Sequence, residues 1–350
     1  MKVIQEKFAE KEGKTIDSFT LVNRNGIEIS CINYGCTITK IIAPDRNRNY
    51  ENIVLGYDTL DEYEKGTAYF GAVIGRVAGR IKGAAFDLDG ITYHLPQNDN
   101  GNHLHGGFNG FDKVLWTAEA FENENEIGVK FTYTSPDGEA GYPGNVSLAI
   151  TYTLNDQDEL TINYHGQTDQ KTLLTMTNHS YFNLSGNLKR DTLTHSLTLK
   201  SNAFLELDQE LLPTGTILDV EGTEFDFRKG RLIQTGAESE HQQNVLAGKG
   251  YDHPFLLDAN HSQEILLQDP ESGRTLTIET DEVAVVVYSG TQLASDDKIY
   301  GVPSSKYLGI CLETQGLPDA IHHPHLPFWI LDKDKEYSSK TKYIFGLDNN

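Results

Sequence analysis

Cysteine is scarce. The 350 residues include three, Cys31, Cys36 and Cys311, with no C-x-x-C pair. An odd, scattered set argues against a disulfide framework and fits a reducing compartment, so a cytoplasmic location is expected. Long apolar runs are also missing. The opening MKVIQEKFAEKEGK has no hydrophobic signal core, and no stretch is long enough to span a bilayer. Positive charge is short: 29 Lys and Arg face 51 Asp and Glu, for a net charge of -22. Such a surface repels nucleic acid and anionic lipid, and it disfavours a strongly anionic substrate unless a basic pocket is built locally. Proline is sparse at 11 against 32 glycines, which points to many tight turns rather than disorder.

Several chemical signatures are absent too. The glycines of 71–81 (GAVIGRVAGRI) do not follow G-x-G-x-x-G spacing, and no Walker lysine occurs. There is no H-E-x-x-H and no G-x-S-x-G elbow. His103 with His105, and the run 322–325 (HHPH), offer imidazoles but no closed metal-ligand signature. Neither a metal nor a cofactor is therefore expected. What remains is His, Glu, Asp and Arg, an inventory suited to acid–base chemistry on a neutral polar substrate, a sugar above all.

What the sequence does have is a period of two. The runs 128–135, 146–154, 160–168, 196–207, 275–280 and 283–290 are short, rich in Val, Ile, Thr, Tyr and Phe, and bounded by Gly, Asn, Asp or Pro. Asn25-Gly26, Asp89-Gly90, Asp137-Gly138 and Ser272-Gly273 read as turns. Helical patterns are confined to 58–66, with Asp58 as the expected cap, and 239–248. Strands without crossover helices imply an all-β fold of antiparallel sheets, packed as a sandwich or closed as a barrel. No linker interrupts the pattern, so residues 1–350 are expected to form one domain. The alternating Thr341, Tyr343 and Phe345 suggest a last strand tucked into a sheet.

Five segments carry candidate chemistry. Read as a strand, 174–184 (LTMTNHSYFNL) sends Leu174, Met176, Asn178, Ser180, Phe182 and Leu184 one way and Thr175, Thr177, His179, Tyr181 and Asn183 the other. His179 then lies on a polar, aromatic face, either as a proton carrier or as a hydrogen-bonded structural residue. In 307–316 (YLGICLETQG), alternation puts Gly309, Cys311, Glu313 and Gln315 on one face. A carboxylate among apolar neighbours is desolvated, which lifts its pKa toward the range of a general base; pairing with an arginine is the alternative. Asp252 opens an apolar run at a turn, where local backbone bonding is common. His103 and His105 would share a strand face, and Gly106-Gly107 would allow close approach to a ligand. Arg80 offers a rigid fork of donors for hydroxyls or a carboxylate, whereas Arg76 reads as a structural ion pair.

Taken together, the runs 75–81 (GRVAGRI), 102–116 (NHLHGGFNGFDKVLW), 137–144 (DGEAGYPG), 178–184 (NHSYFNL), 251–257 (YDHPFLL) and 310–320 (ICLETQGLPDA), with the terminal Thr341, Tyr343 and Phe345, resemble the aldose 1-epimerase family, also called galactose mutarotase. The resemblance implies a large antiparallel β-sandwich, the galactose mutarotase-like supersandwich, with an open sugar-binding cleft. It implies interconversion of the α and β anomers of free hexoses without a cofactor. Motif by motif, it makes His179 the general acid and Glu313 the general base, with Arg80, His105 and Asp252 holding sugar hydroxyls. Gly79 departs from the pattern, since many members have Asn before the arginine. Acid and base are expected on opposite sides of the reacting hemiacetal. A glycoside hydrolase using Asp252 and Glu313, a non-catalytic sugar-binding module and an epimerase of phosphorylated hexoses are the rival readings. The expected partner is a monosaccharide, with no nucleic acid and no membrane, and the chain is read as a monomer or homodimer.

Overall fold

The computed structural model describes residues 1–293 and 298–348. Two large antiparallel sheets dominate. The first has nine strands in the order 117–122, 126–135, 146–155, 159–168, 336–347, 274–280, 265–268, 196–199 and 231–232. The second has six, in the order 181–182, 310–315, 284–288, 252–256, 203–207 and 213–219. A five-stranded sheet from residues 2–52 covers one flank. The period-two runs thus form the expected antiparallel sandwich.

The last strand, Glu336–Leu347, is central: it pairs with Glu159–Thr168 on one side and Arg274–Thr280 on the other. Its Tyr337, Thr341, Tyr343 and Phe345 point into the core. From the facing sheet come Phe182, Phe204, Phe255, Val285, Val287, Ile310 and Leu312, all in one contiguous cluster with Ile150, Ile162, Leu276 and Ile278. Each such side chain, fully removed from water, contributes about 1.5–3 kcal/mol. The sheets touch directly where Phe182 packs on Tyr343, with ring centroids 5.7 Å apart, and where the Thr314 and Thr341 hydroxyls lie 2.6 Å apart.

Helices are few and short. Leu60–Lys65 is capped by Thr59 rather than Asp58. The Thr59 hydroxyl accepts from the Glu62 N–H, and the Glu62 carboxylate accepts from the Thr59 N–H, a reciprocal box that Asp58 stands one residue too early to make. Within the second expected region, 239–248, only Gln242–Leu246 is helical, and a separate short helix, Gln234–Glu238, precedes it.

Residues 174–184 do not make the single strand their alternation suggests. Thr177–Asn178 pairs with Val73–Ile74, whereas Tyr181–Phe182 pairs with Ile310–Cys311. The chain changes sheets between them, at a turn in which Asn178 Oδ1 accepts from both the N–H and the hydroxyl of Ser180. Both faces of the segment are buried, with His179 and Tyr181 lining the bottom of a cleft.

Candidate active site

Strand Ile310–Gln315 fixes the site by its alternation. Ile310, Leu312 and Thr314 enter the core between the sheets, so Cys311, Glu313 and Gln315 emerge on the outer face. The same face carries Tyr288 and Val286 from the neighbouring strand, and Asp252 and Pro254 from the next. Above this floor opens a cleft of about 180 Å³. Tyr69, Arg80, His105, His179, Asp252, Glu313 and Gln315 are among its lining residues, so all five residues singled out from the sequence converge there.

His179 lies at the bottom, 4% exposed, at the point where the chain crosses between sheets. Its Nε2 is 3.6 Å from Glu313 Oε1. Its ring stacks near-parallel on Tyr181 at 5.0 Å and on Tyr69 at 5.8 Å, and meets His105 edge-on at 5.3 Å. Burial depresses the His179 pKa to about 4. Burial, and secondarily the charge of Asp252, pushes Glu313 well above the usual carboxylate range, with Arg80 opposing. Both shifts favour uncharged forms, and both leave the pair holding one proton. The two residues expected as acid and base therefore stand side by side, 3.6 Å apart, rather than on opposite sides of a reacting group. Glu313 Oε2 has no partner among the described residues and is buried, an acceptor left open for a ligand.

The rim residues are held partly from outside the motifs and partly by other motif residues. Arg80 donates through Nε to Asp99 Oδ2 at 2.7 Å, a partner that no sequence pattern indicated. The Gly79 N–H donates to His105 Nδ1 at 3.1 Å. With Nδ1 accepting, the neutral ring carries its proton on Nε2 and is a donor there. His105, His179 and Glu313 place their ligand atoms within 4.8 Å of one another, close enough to suggest a metal set. The tautomer of His105 counters that reading, because neither of its nitrogens keeps a free lone pair. Gln315 donates from Nε2 to the carbonyls of Ala78 and Gly316, which orients its amide and leaves Oε1 buried and unpaired. Asp252 is half-buried, and desolvation raises the pKa of its carboxyl. Its backbone N–H donates to His253 Nδ1, while His253 Nε2 bonds Gln243.

Other expectations need correction. His103 does not share a face with His105. His103 turns inward to the Pro96 carbonyl and packs on Tyr142, whereas His105 adopts φ of 52° and turns into the cleft. At Gly106 a side chain would collide with the Gly75 carbonyl, so a close contact within the chain already requires glycine there. The histidines of 322–325 diverge, to Asp319, to the Pro213 carbonyl and to the Gly215 carbonyl. Arg76 is structural, but it is held by carbonyls of Ser135, Pro136, Pro143 and Gly144 rather than by an ion pair. Gly79 has φ of 83°, and a Cβ there would sit 2.7 Å from Pro318 Cβ, so Asn has no room at this position.

A family model described as aldose 1-epimerase matches residues 17–344. The galactose mutarotase of Rattus norvegicus is 40% identical over 340 residues, covering 96% of this chain and 95% of its own. The aldose 1-epimerase of Escherichia coli is 32% identical over 339 residues, covering 95% and 96%. Among solved structures, a galactose 1-epimerase from Lactobacillus acidophilus superposes with a TM-score of 0.88 at 28% identity, covering 99% of each chain.

Proposed function

Since the chain belongs to the aldose 1-epimerase family and interconverts the α and β anomers of aldoses, we propose that Glu313 and His179 exchange the two protons of that reaction on a free hexose of the galactose or glucose type. Arg80, His105 and Asp252 hold the sugar's other hydroxyls, and Gln315 Oε1 accepts one more.

The observation that carries this reading is the 3.6 Å contact between His179 Nε2 and Glu313 Oε1 at the bottom of the cleft. An anomeric carbon bears two oxygens, the hydroxyl O1 and the ring oxygen O5. Two adjacent groups reach two oxygens on one carbon without surrounding the ring. Glu313 takes the O1 proton while His179, as imidazolium, gives its Nε2 proton to O5, and the C1–O5 bond breaks. The open aldehyde turns about C1–C2. On closure Glu313 returns a proton to O1 and His179 recovers one from O5, now on the opposite face of C1. The pair holds one proton before opening and one after it, so no proton need enter from solvent. The resting, uncharged arrangement differs from the working ion pair by one proton moved across the contact.

Support for a neutral sugar comes from charge: Arg80 is the one Lys or Arg among the described residues that line the cleft, too little for a phosphorylated hexose. Residues 1–350 act as one domain, a reading supported by the continuous core from Phe19 to Phe345. No helix among the described residues is long and apolar enough to cross a membrane, and the three thiols are free and buried. Both are in keeping with a cytoplasmic enzyme.

The test is polarimetry of freshly dissolved α-galactose. The wild type is expected to abolish the slow drift of rotation, and Glu313→Gln to match buffer. A Glu313→Gln variant as fast as wild type would remove the carboxylate from the reaction.

A further inference from the structure

We propose that Cys311 is a positioning residue for this reaction: its sulfur accepts the Nδ1 proton of His179, which keeps Nε2 as the nitrogen that exchanges a proton with the sugar. The inference rests on His179 being the proton carrier.

Cys311 Sγ lies 3.5 Å from His179 Nδ1, and both side chains are buried. The contact is built in by register. Cys311 sits opposite Tyr181 on one side and Tyr288 on the other, two residues before Glu313 on the same strand face. The sulfur therefore meets one edge of the imidazole as the carboxylate meets the other. Burial keeps the thiol protonated, so what faces the ring is a neutral thiol, a weak donor through S–H and a weak acceptor at sulfur; in the proposed arrangement the sulfur accepts.

A histidine that works through one nitrogen has its tautomer set by the bond at the other. With the proton on Nδ1, the Nε2 lone pair faces Glu313 Oε1. Nε2 takes a proton there, passes it to O5 and returns to its starting state, while the Nδ1 proton stays in place. In the opposite tautomer Nε2 already carries its proton and has no lone pair with which to take one from Glu313, and it could give that proton up only by leaving an imidazolate. Sulfur in place of the more common carboxylate orients the ring without adding charge beside it. The imidazolium thus stays a ready proton donor.

The experiment is nuclear magnetic resonance of the full chain with labelled histidine nitrogens, read alongside polarimetric kinetics. In the wild type the neutral His179 ring is expected to carry its proton on Nδ1. Cys311→Ala is expected to shift the ring toward the Nε2–H form and to lower kcat by about tenfold with a smaller change in KM. Cys311→Ser, with a hydroxyl in the same place, is expected to restore the tautomer and most of kcat. A wild-type ring protonated on Nε2 overturns the proposal, and so does an alanine variant whose tautomer is unchanged, whatever its rate. If the alanine variant does not fold, the wild-type tautomer decides alone. Full turnover by His179→Asn would instead remove the premise that this histidine carries the proton, and the tautomer measurement, made without turnover, keeps the two failures distinct.

Discussion

His179 Nε2 and Glu313 Oε1 stand 3.6 Å apart, nearer to each other than the two edges of a pyranose. That proximity makes them one titrating unit rather than two independent groups, and it is the basis for the proposal that they serve the two oxygens of a single carbon.

Removing either member should therefore cost a similar amount. Glu313→Gln and His179→Asn are each expected to reduce kcat by about 10²–10⁴-fold, with the double variant little worse than either single one. Polarimetry on all three gives the answer. Losses that multiply in the double variant would show that the two groups act separately.

The pH dependence follows from the raised pKa of Glu313. Activity should hold through the range in which ordinary carboxylates ionise and fall on the alkaline side, where the pair loses its one proton. The kcat/KM profile for a neutral sugar tests this. An activity that instead rises as an ordinary carboxylate ionises would mean that Glu313 works from the charged form throughout.

Stability has its own pH dependence. His103, His179 and His195 are buried with pKa values lowered to about 4, and His253 to about 3. Between those values and 6.5 each of these rings binds more protons in the unfolded chain, so the stability they contribute is lost as pH falls through that window. His103, His179 and His195 can contribute up to about 3 kcal/mol each and His253 up to about 5 kcal/mol. The raised carboxyls of Asp112, Asp252, Glu282 and Glu313 act with the opposite sign. Melting temperature is expected to drop from about pH 6.5 toward pH 4, with the carboxyls offsetting part of the fall. A melting temperature that rises over that range would show that the carboxyls outweigh the rings.

Arg80 depends on Asp99, its partner at 2.7 Å. Asp99→Asn leaves a hydrogen-bond acceptor but removes the charge that holds the guanidinium over the cleft. The expected effect is a KM raised several-fold, on the order of 1 kcal/mol for a partly exposed pair, with kcat nearly kept. An unchanged KM would show that Arg80 is positioned by something else.

Gly79→Asn tests the one departure from the family pattern. The left-handed backbone and the 2.7 Å approach to Pro318 Cβ should cost about 1–3 kcal/mol and displace Arg80. Gly79→Asn with Pro318→Gly, which removes both Pro318 Cβ and Cγ, should recover part of the loss. If Gly79→Asn alone is as stable as wild type, the loop has freedom that the close contact denies.

Much of the architecture was legible because one rule governs it. Alternation along 310–315 correctly paired Cys311, Glu313 and Gln315 on one face, since the opposite face has to enter the core. The same rule misled in 174–184, where the chain leaves one sheet for another and alternation is reset at the Asn178–Ser180 turn. It misled again at His103 and His105, because a left-handed residue breaks the two-residue period. Asp99 and Tyr69 were unreadable for a different reason. Their roles come from long-range proximity to Arg80 and His179, and nothing in their immediate neighbours marks them. The five residues carried over from the resemblance do converge, which composition and periodicity could not have established.

Thr314 meets Thr341 on the core side of the strand that presents Glu313 on the other. The reactive carboxylate is in effect a rivet whose shank passes through the hull. A disturbance far from any sugar, at the seam where the terminal strand crosses beneath, reaches the anomeric carbon through one residue of backbone. Natural variation at that hidden seam would be felt as altered turnover before it was felt as loss of fold.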